Sequence, residues 1–214
     1  MRLFVAVPLA EEIRQNLARI QVRLMSEAEP TGVRVKWVEP ENFHLTVAFL
    51  GELSEAAVPD VIAACDSVAA AISPFRVGVA GVSVFPKVKS PHLPEIKTLW
   101  AGVVAGTADW RRMIEQAEHW FVPFGASRDG GLVPHITLGR VKTERGGAMG
   151  DHNALRTLLK ANATTDFGTM QADCLVLMKS TLTPRGATYD EICRREFGRI
   201  FETEKSIEES HGNR

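Results

Sequence analysis

The chain has 214 residues, 45% of them hydrophobic, and 25 Lys and Arg against 26 Asp and Glu leave a net charge of −1. That is enough apolar material for one compact domain or two intimately joined lobes, and the near balance of charge excludes a surface built to wrap a long polyanion. Three cysteines, Cys65, Cys174 and Cys193, sit far apart in apolar surroundings, which fits reduced thiols in a cytoplasmic protein and neither a disulfide framework nor a zinc site.

Residues 2–7 read as a first buried strand. The run Leu3-Phe4-Val5-Ala6-Val7 is too short, and too soon followed by Glu11 and Glu12, for a secretory signal, and no apolar run reaches membrane-spanning length. Ile13, Leu17, Ile20 and Leu24 recur at helical spacing and predict a helix over 10–27. Strands over 34–38 and 43–50 follow, parted by the turn signal Glu39-Pro40-Glu41-Asn42. A helix over 58–72 tolerates Pro59 in its first turn. Strands near 75–84 and 97–104 then flank a connection running from Pro86 to Pro94. A helix over 107–122 carries Trp110, Met113, Ile114, Ala117, Trp120 and Phe121 on its buried stripe. A strand over 132–142, a short helix from Asp151 and strands near 167–179 and 187–197 complete a domain expected to span 1–201. Residues 202–214, rich in Glu and Ser, read as a disordered polar tail.

Two strands carry the same short pattern, Phe43-His44-Leu45-Thr46-Val47 and Pro134-His135-Ile136-Thr137-Leu138, 91 residues apart. Side chains on a strand alternate, so His44 and Thr46 share one face while Phe43, Leu45, Val47 and Phe49 share the other. His135 and Thr137 sort the same way from Ile136 and Leu138. A lone strand histidine is usually structural. In a chain of this composition, however, a His-x-Thr with apolar neighbours on both sides of the Thr arises by chance only about 0.08 times, so the pair points to an acid–base site. Strand–helix–strand units thus repeat approximately twice, with one such strand in each half.

The stretches Val35-Lys36-Trp37-Val38-Glu39-Pro40-Glu41-Asn42-Phe43-His44-Leu45-Thr46, Phe49-Leu50-Gly51 and Val133-Pro134-His135-Ile136-Thr137-Leu138-Gly139-Arg140 resemble the RNA 2′,3′-cyclic phosphodiesterase family, also called 2′-5′ RNA ligase, within the two-histidine phosphoesterase superfamily. Residues 2–7 and the closing stretch 180–189 fit as well, so the resemblance covers about residues 1–198. It implies an α+β, bilobal fold with pseudo-twofold duplicated units and mainly antiparallel sheets around a central cleft. It also implies hydrolysis of RNA 2′,3′-cyclic phosphate ends to 2′-phosphates, with His44 as general acid and His135 as general base, and reverse 2′-5′ ligation without ATP. Arg140 is carried over as a phosphate ligand, and neither metal nor cofactor is expected.

The chemistry calls for two such groups and leaves their order to the resemblance. Opening a cyclic phosphodiester requires one group to take a proton from water and another to give one to the departing ribose oxygen, and imidazoles near pKa 6.5 can do both. Thr46 and Thr137 are expected to donate hydrogen bonds to the nonbridging oxygens. Arg140 suits a phosphate, but simple alternation places it opposite His135, so a bulge or twist at Gly139 is needed to re-aim it. Trp37, Phe49 and Phe85 are candidates to stack on a base but are read as core in preference, and Tyr189 is left without a role. Of the basic pairs Arg34/Lys36, Lys87/Lys89 and Arg140/Lys142, each is a solvated edge unless it meets phosphate. His92, expected to be exposed, and His119, His152 and His211 are assigned no chemistry. Partners are RNA ends with a cyclic phosphate or small nucleotides, with no membrane, for a monomer by default. Alternatives are a phosphodiesterase acting on ADP-ribose cyclic phosphate or 2′-5′ oligoadenylate, and a non-catalytic module binding AMP-type ligands. Salt dependence separates RNA ends from mononucleotides.

Overall fold

A computed structural model describes residues 1–86, 96–126, 133–142, 150–183 and 186–198. The expected tail, the Lys87/Lys89 pair, His92, His211 and nearly all of the connection after Pro86 lie outside the described residues. In chain order the elements are β1 (Arg2–Pro8), α1 (Glu11–Ala28), β2 (Val35–Trp37), β3 (His44–Glu52), α2 (Val58–Ala71), β4 (Phe75–Phe85), β5 (Thr98–Ala105), α3 (Thr107–Phe121), β6 (His135–Val141), α4 (His152–Lys160), β7 (Asp166–Ala172), β8 (Cys174–Leu182) and β9 (Ala187–Glu196).

Two sheets form, in the orders β3-β1-β8-β9 and β2-β6-β5-β4-β7, and every pairing is antiparallel. The α+β class and the antiparallel sheets are as expected. One strand is not: the run expected over 167–179 is β7 and β8, parted at Asp173 and belonging to different sheets. β7 pairs with β4 at the edge of the second sheet, whereas β8 lies between β1 and β9 in the first. The halves of the chain are therefore interleaved. β4 joins β5 and β6, and β8 joins β1 and β3. The helices cross as well, since α1 packs on β7 and α4, and α3 packs on β3 and α2.

β1 shows how alternation builds both core and cleft. Leu3, Val5 and Val7 belong to the main core with Ile13, Leu17 and Leu24 of α1. Phe4 and Ala6 face the other way, packing with Val176, Met178 and Tyr189. Each aliphatic side chain fully buried this way contributes about 1.5–3 kcal/mol. On α3 the expected stripe holds for Trp110, Met113, Ile114, Ala117 and Phe121, but Trp120 is exposed. The helix at Asp151 begins as expected, its carboxylate accepting from the amides of Asn153 and Ala154 at 2.9 Å each.

Both motif strands depart from regular pairing at the same place. In β3, Val5 lies opposite Ala48 and Ala6 opposite Thr46, leaving Val47 as an extra residue. In β6, Leu99 lies opposite Gly139 and Trp100 opposite Thr137, leaving Leu138 extra. Each is a bulge one residue after the motif threonine. Gly139 does not supply the bend itself. Its part is to let β2 approach, because a Cβ there would stand 2.6 Å from Val35 Cγ1 and 3.1 Å from Trp37 Cε3. Gly139→Ala is therefore expected to destabilise the fold by about 1–3 kcal/mol, read as a lower urea midpoint with unchanged slope; an unchanged midpoint would show that β2 yields freely.

Candidate active site

His44 opens β3 and His135 opens β6, and the turns before them set both rings alike. Glu39, held extended ahead of Pro40, leads into a single 3₁₀ turn over Pro40–Asn42. The Asn42 carbonyl at its end accepts from His44 Nδ1 at 2.7 Å. Val133, ahead of Pro134, offers its carbonyl to His135 Nδ1 at 2.8 Å. A carbonyl oxygen only accepts, so Nδ1 carries the proton in both rings and Nε2 is the atom that titrates. The Asn42 side chain also donates to Ala187 O at 3.1 Å, tying this turn to β9.

The bulges decide what stands beside the histidines. Burial along the two strands runs in parallel: His44 and Thr46 are half-buried, Leu45, Val47 and Ala48 are buried, and Phe49 is exposed. Likewise His135 and Thr137 are half-buried, Ile136, Leu138 and Gly139 are buried, and Arg140 is exposed. Position five after each histidine thus turns to the histidine face. All six residues, His44, Thr46, Phe49, His135, Thr137 and Arg140, line one cleft of about 580 Å³. For Arg140 this is the re-aiming the sequence demanded, with Leu138 as the inserted residue. For Phe49 it corrects the expectation: its ring is 53% exposed in the cleft instead of packed in the core. Phe85 is corrected too, since it lines the cleft, whereas Trp37 packs on the core as expected.

Aromatic rings wall each imidazole. Phe4 lies 4.9 Å from His44, and Tyr189 meets it edge-on at 5.4 Å. Phe85 meets His135 edge-on at 5.0 Å, stacked in turn on Trp100 at 4.8 Å. Burial among these rings holds both histidines below their usual pKa of 6.5, against the opposing pull of their carbonyl partners, and the Arg140 charge pushes both further down. His44 feels His135 as well. Burial raises the Tyr189 phenol, so it is a neutral donor and acceptor at physiological pH.

The cleft carries Arg2 and Arg140 among its lining, and among the described residues no Asp or Glu lines it. Lys36 stands opposite Arg140 across β2 and β6, so from the Arg34/Lys36 pair one cation lies beside the site. A chain of net charge −1 has thus gathered cations where the histidines meet. Among the described residues no three His, Cys, Asp or Glu side chains converge as a metal-ligand group, and no helix is long and apolar enough to cross a membrane. His119 and His152 lie outside the cleft, the latter accepting from the Ile96 amide at 3.1 Å.

The family described as LigT like Phosphoesterase matches residues 7–94. An RNA 2′,3′-cyclic phosphodiesterase of Aquifex aeolicus is 33% identical over 72% of this chain and 77% of its own length. Another, of Methanothermobacter thermautotrophicus, is 31% identical over 90% of this chain and 96% of its own. Among solved structures, TT0787 of Thermus thermophilus superposes with a TM-score of 0.69 at 26% identity, covering 92% of this chain and 98% of that one. The E. coli LigT complexed with 3′-AMP superposes at 0.62 with 19% identity over the same shares, a likeness of fold.

The geometry sets an expectation for the free protein. In NMR titrations His44 and His135 both show midpoints below 6.5 with the Nδ1–H tautomer, and Arg140→Gln raises both, because removing a nearby positive charge eases protonation. Midpoints unmoved by that substitution would place the guanidinium away from the rings.

Proposed function

The chain belongs to the RNA 2′,3′-cyclic phosphodiesterase family of LigT-like phosphoesterases, and from that premise we propose that it opens RNA 2′,3′-cyclic phosphate ends to 2′-phosphates by metal-independent acid–base catalysis between His44 and His135. The observation that carries this reading is the twin placement of Nε2 and threonine hydroxyl, with Arg140 beside them, around one cleft that no carboxylate lines among the described residues.

In the proposed reaction the cyclic phosphate lies between the two motif strands. Thr46 and Thr137 donate to its nonbridging oxygens, and Arg140 offsets charge that builds there in the transition state. His135 Nε2, neutral, takes a proton from the attacking water. His44 Nε2, protonated, gives its proton to the 3′ oxygen as the phosphorus bond to it breaks. The ring states are then exchanged, and solvent resets them. With a 5′-hydroxyl attacking in place of water, the same two transfers run in the same direction: His135 takes the hydroxyl proton, the 3′ oxygen leaves with the proton of His44, and RNA is joined through a 2′-5′ linkage. Both proton movements are supplied by imidazole, so the scheme asks nothing of a metal.

Phe49 gives the cleft its face for a base. An exposed ring beside a phosphate site can stack a nucleobase, a contact usually worth about 1–3 kcal/mol. Lys36 beside Arg140 lies where the phosphate of a preceding nucleotide could pass, which favours an RNA end over a mononucleotide.

Wild type is expected to turn over a short RNA 2′,3′-cyclic phosphate in EDTA to the 2′-phosphate, with His44→Ala and His135→Ala each losing about 10²–10⁴-fold in kcat. A folded wild type without turnover would sink the reading. The active free enzyme has one ring protonated and one neutral, and both pKa values lie below 6.5. Protonating the base removes activity on the acid side and deprotonating the acid removes it on the alkaline side, so kcat/KM should peak below pH 6.5. Phe49→Ala should raise KM by about tenfold with kcat nearly unchanged; a fall in kcat alone would remove Phe49 from base binding.

A further inference from the structure

Gln21 is one of few buried polar side chains among the described residues, 4% exposed on the core-facing side of α1 beside Ile20 and Leu24. A carboxamide there would be costly without partners. It has two, one on the residue that follows β2 and one in β6. Gln21 Nε2 donates to Val38 O at 2.7 Å and to Leu138 O at 3.0 Å. Leu138 is the inserted residue of the β6 bulge, and its carbonyl also accepts from the Val38 amide at 3.0 Å.

Resting on the functional reading above, we infer that Gln21 is a positioning residue whose carboxamide fixes the β6 bulge and thereby aims Arg140 into the phosphate site. The Leu138 carbonyl already accepts from the Val38 amide, so the carboxamide adds a second donor at the inserted residue, and it also satisfies the Val38 carbonyl. The two amide hydrogens of Gln21 hold the end of β2 and the inserted residue of β6 in one arrangement. If the bulge straightened, every residue after Leu138 would change face. Arg140 would then turn toward α1 and the core, and the cleft would lose the cation beside His135. Gln21 makes no contact with His44, His135 or Arg140, and its effect passes through the backbone at Val38 and Leu138.

The test reads Arg140 through its neighbours in the free protein, so it needs no turnover. Among the described residues, the charged and titratable groups lining the cleft are Arg2, His44, His135, Arg140 and Tyr189. Gln21→Met keeps the volume and removes the donors, Gln21→Ala is a second variant, and Ile20→Val is a control on the same buried stripe. By NMR titration, both Gln21 variants should raise the midpoints of His44 and His135 in the direction of Arg140→Gln, Ile20→Val should not, and Gln21→Met should add nothing in an Arg140→Gln background. Where the wild type hydrolyses the cyclic phosphate, Gln21→Met should also lose on the order of 10²-fold in kcat/KM, as misplaced binding groups do. Lower thermal stability with unmoved midpoints would make Gln21 a residue of the fold alone and overturn the inference, as would failure of both variants to fold. A wild type without hydrolysis would defeat the functional reading while leaving the titration to decide the role of Gln21.

Discussion

The residue inserted just after the threonine in each motif strand is the constraint on which the site depends; β3 carries a second insertion at Leu50, beyond Phe49. Regular alternation would put His and Thr on one face and send the residue five positions after each His to the other. Because Val47 and Leu138 are extra in their ladders, Phe49 and Arg140 join the histidine face instead. The same bulges leave consecutive buried residues, Val47-Ala48 and Leu138-Gly139, so each strand keeps its apolar grip on the core while presenting its His, its Thr and the residue five after the His to the cleft. Gly139 then lets β2 lie close, and the interleaved sheets bring the two strands to opposite sides of one cleft.

The duplication makes equivalents, and the chemistry requires that they differ. Each imidazole bonds through Nδ1 to the carbonyl two residues before it, is walled by aromatic rings, and has a threonine two residues on. Such likeness suits a reaction in which two rings exchange proton states in one turnover. Difference enters at the bulge, with a phenyl ring on the His44 side and a guanidinium on the His135 side. On the proposed reading, an asymmetric substrate, with a base to stack and a phosphate chain to hold, binds in one orientation. Burial of both rings lowers their pKa values, and a bound phosphate anion acts in the opposite direction, favouring protonation where it is needed.

Much of this was legible in the residues. Periodicity located the four helices, and the repeated His-x-Thr singled out His44, Thr46, His135 and Thr137, which the structure brings to one cleft. What escaped follows from features that local patterns do not encode. A strand that changes sheets at a single residue, Asp173, reads as one strand, because alternation continues across the break. Phe49 was placed in the core because a bulge has no fixed signature in side-chain type. Its signal lay in the duplication: the kink required to bring Arg140 to His135 implies the same kink at the equivalent place in the first copy. Phe85 and Gln21 carried no such signal. Phe85 is in the cleft by virtue of β4 pairing with β5, and a glutamine on a helix gives no indication that two distant carbonyls await it.

The most direct measurement replaces the 3′ bridging oxygen of an RNA 2′,3′-cyclic phosphate by sulfur, since a thiolate departs without needing a proton. Hydrolysis of the two substrates by wild type, His44→Ala and His135→Ala separates the acid from the base. The account requires His44→Ala to recover most of its lost rate on the sulfur substrate while His135→Ala stays impaired. Recovery by His135→Ala instead, or equal impairment of both on either substrate, would contradict the division of labour between the two strands.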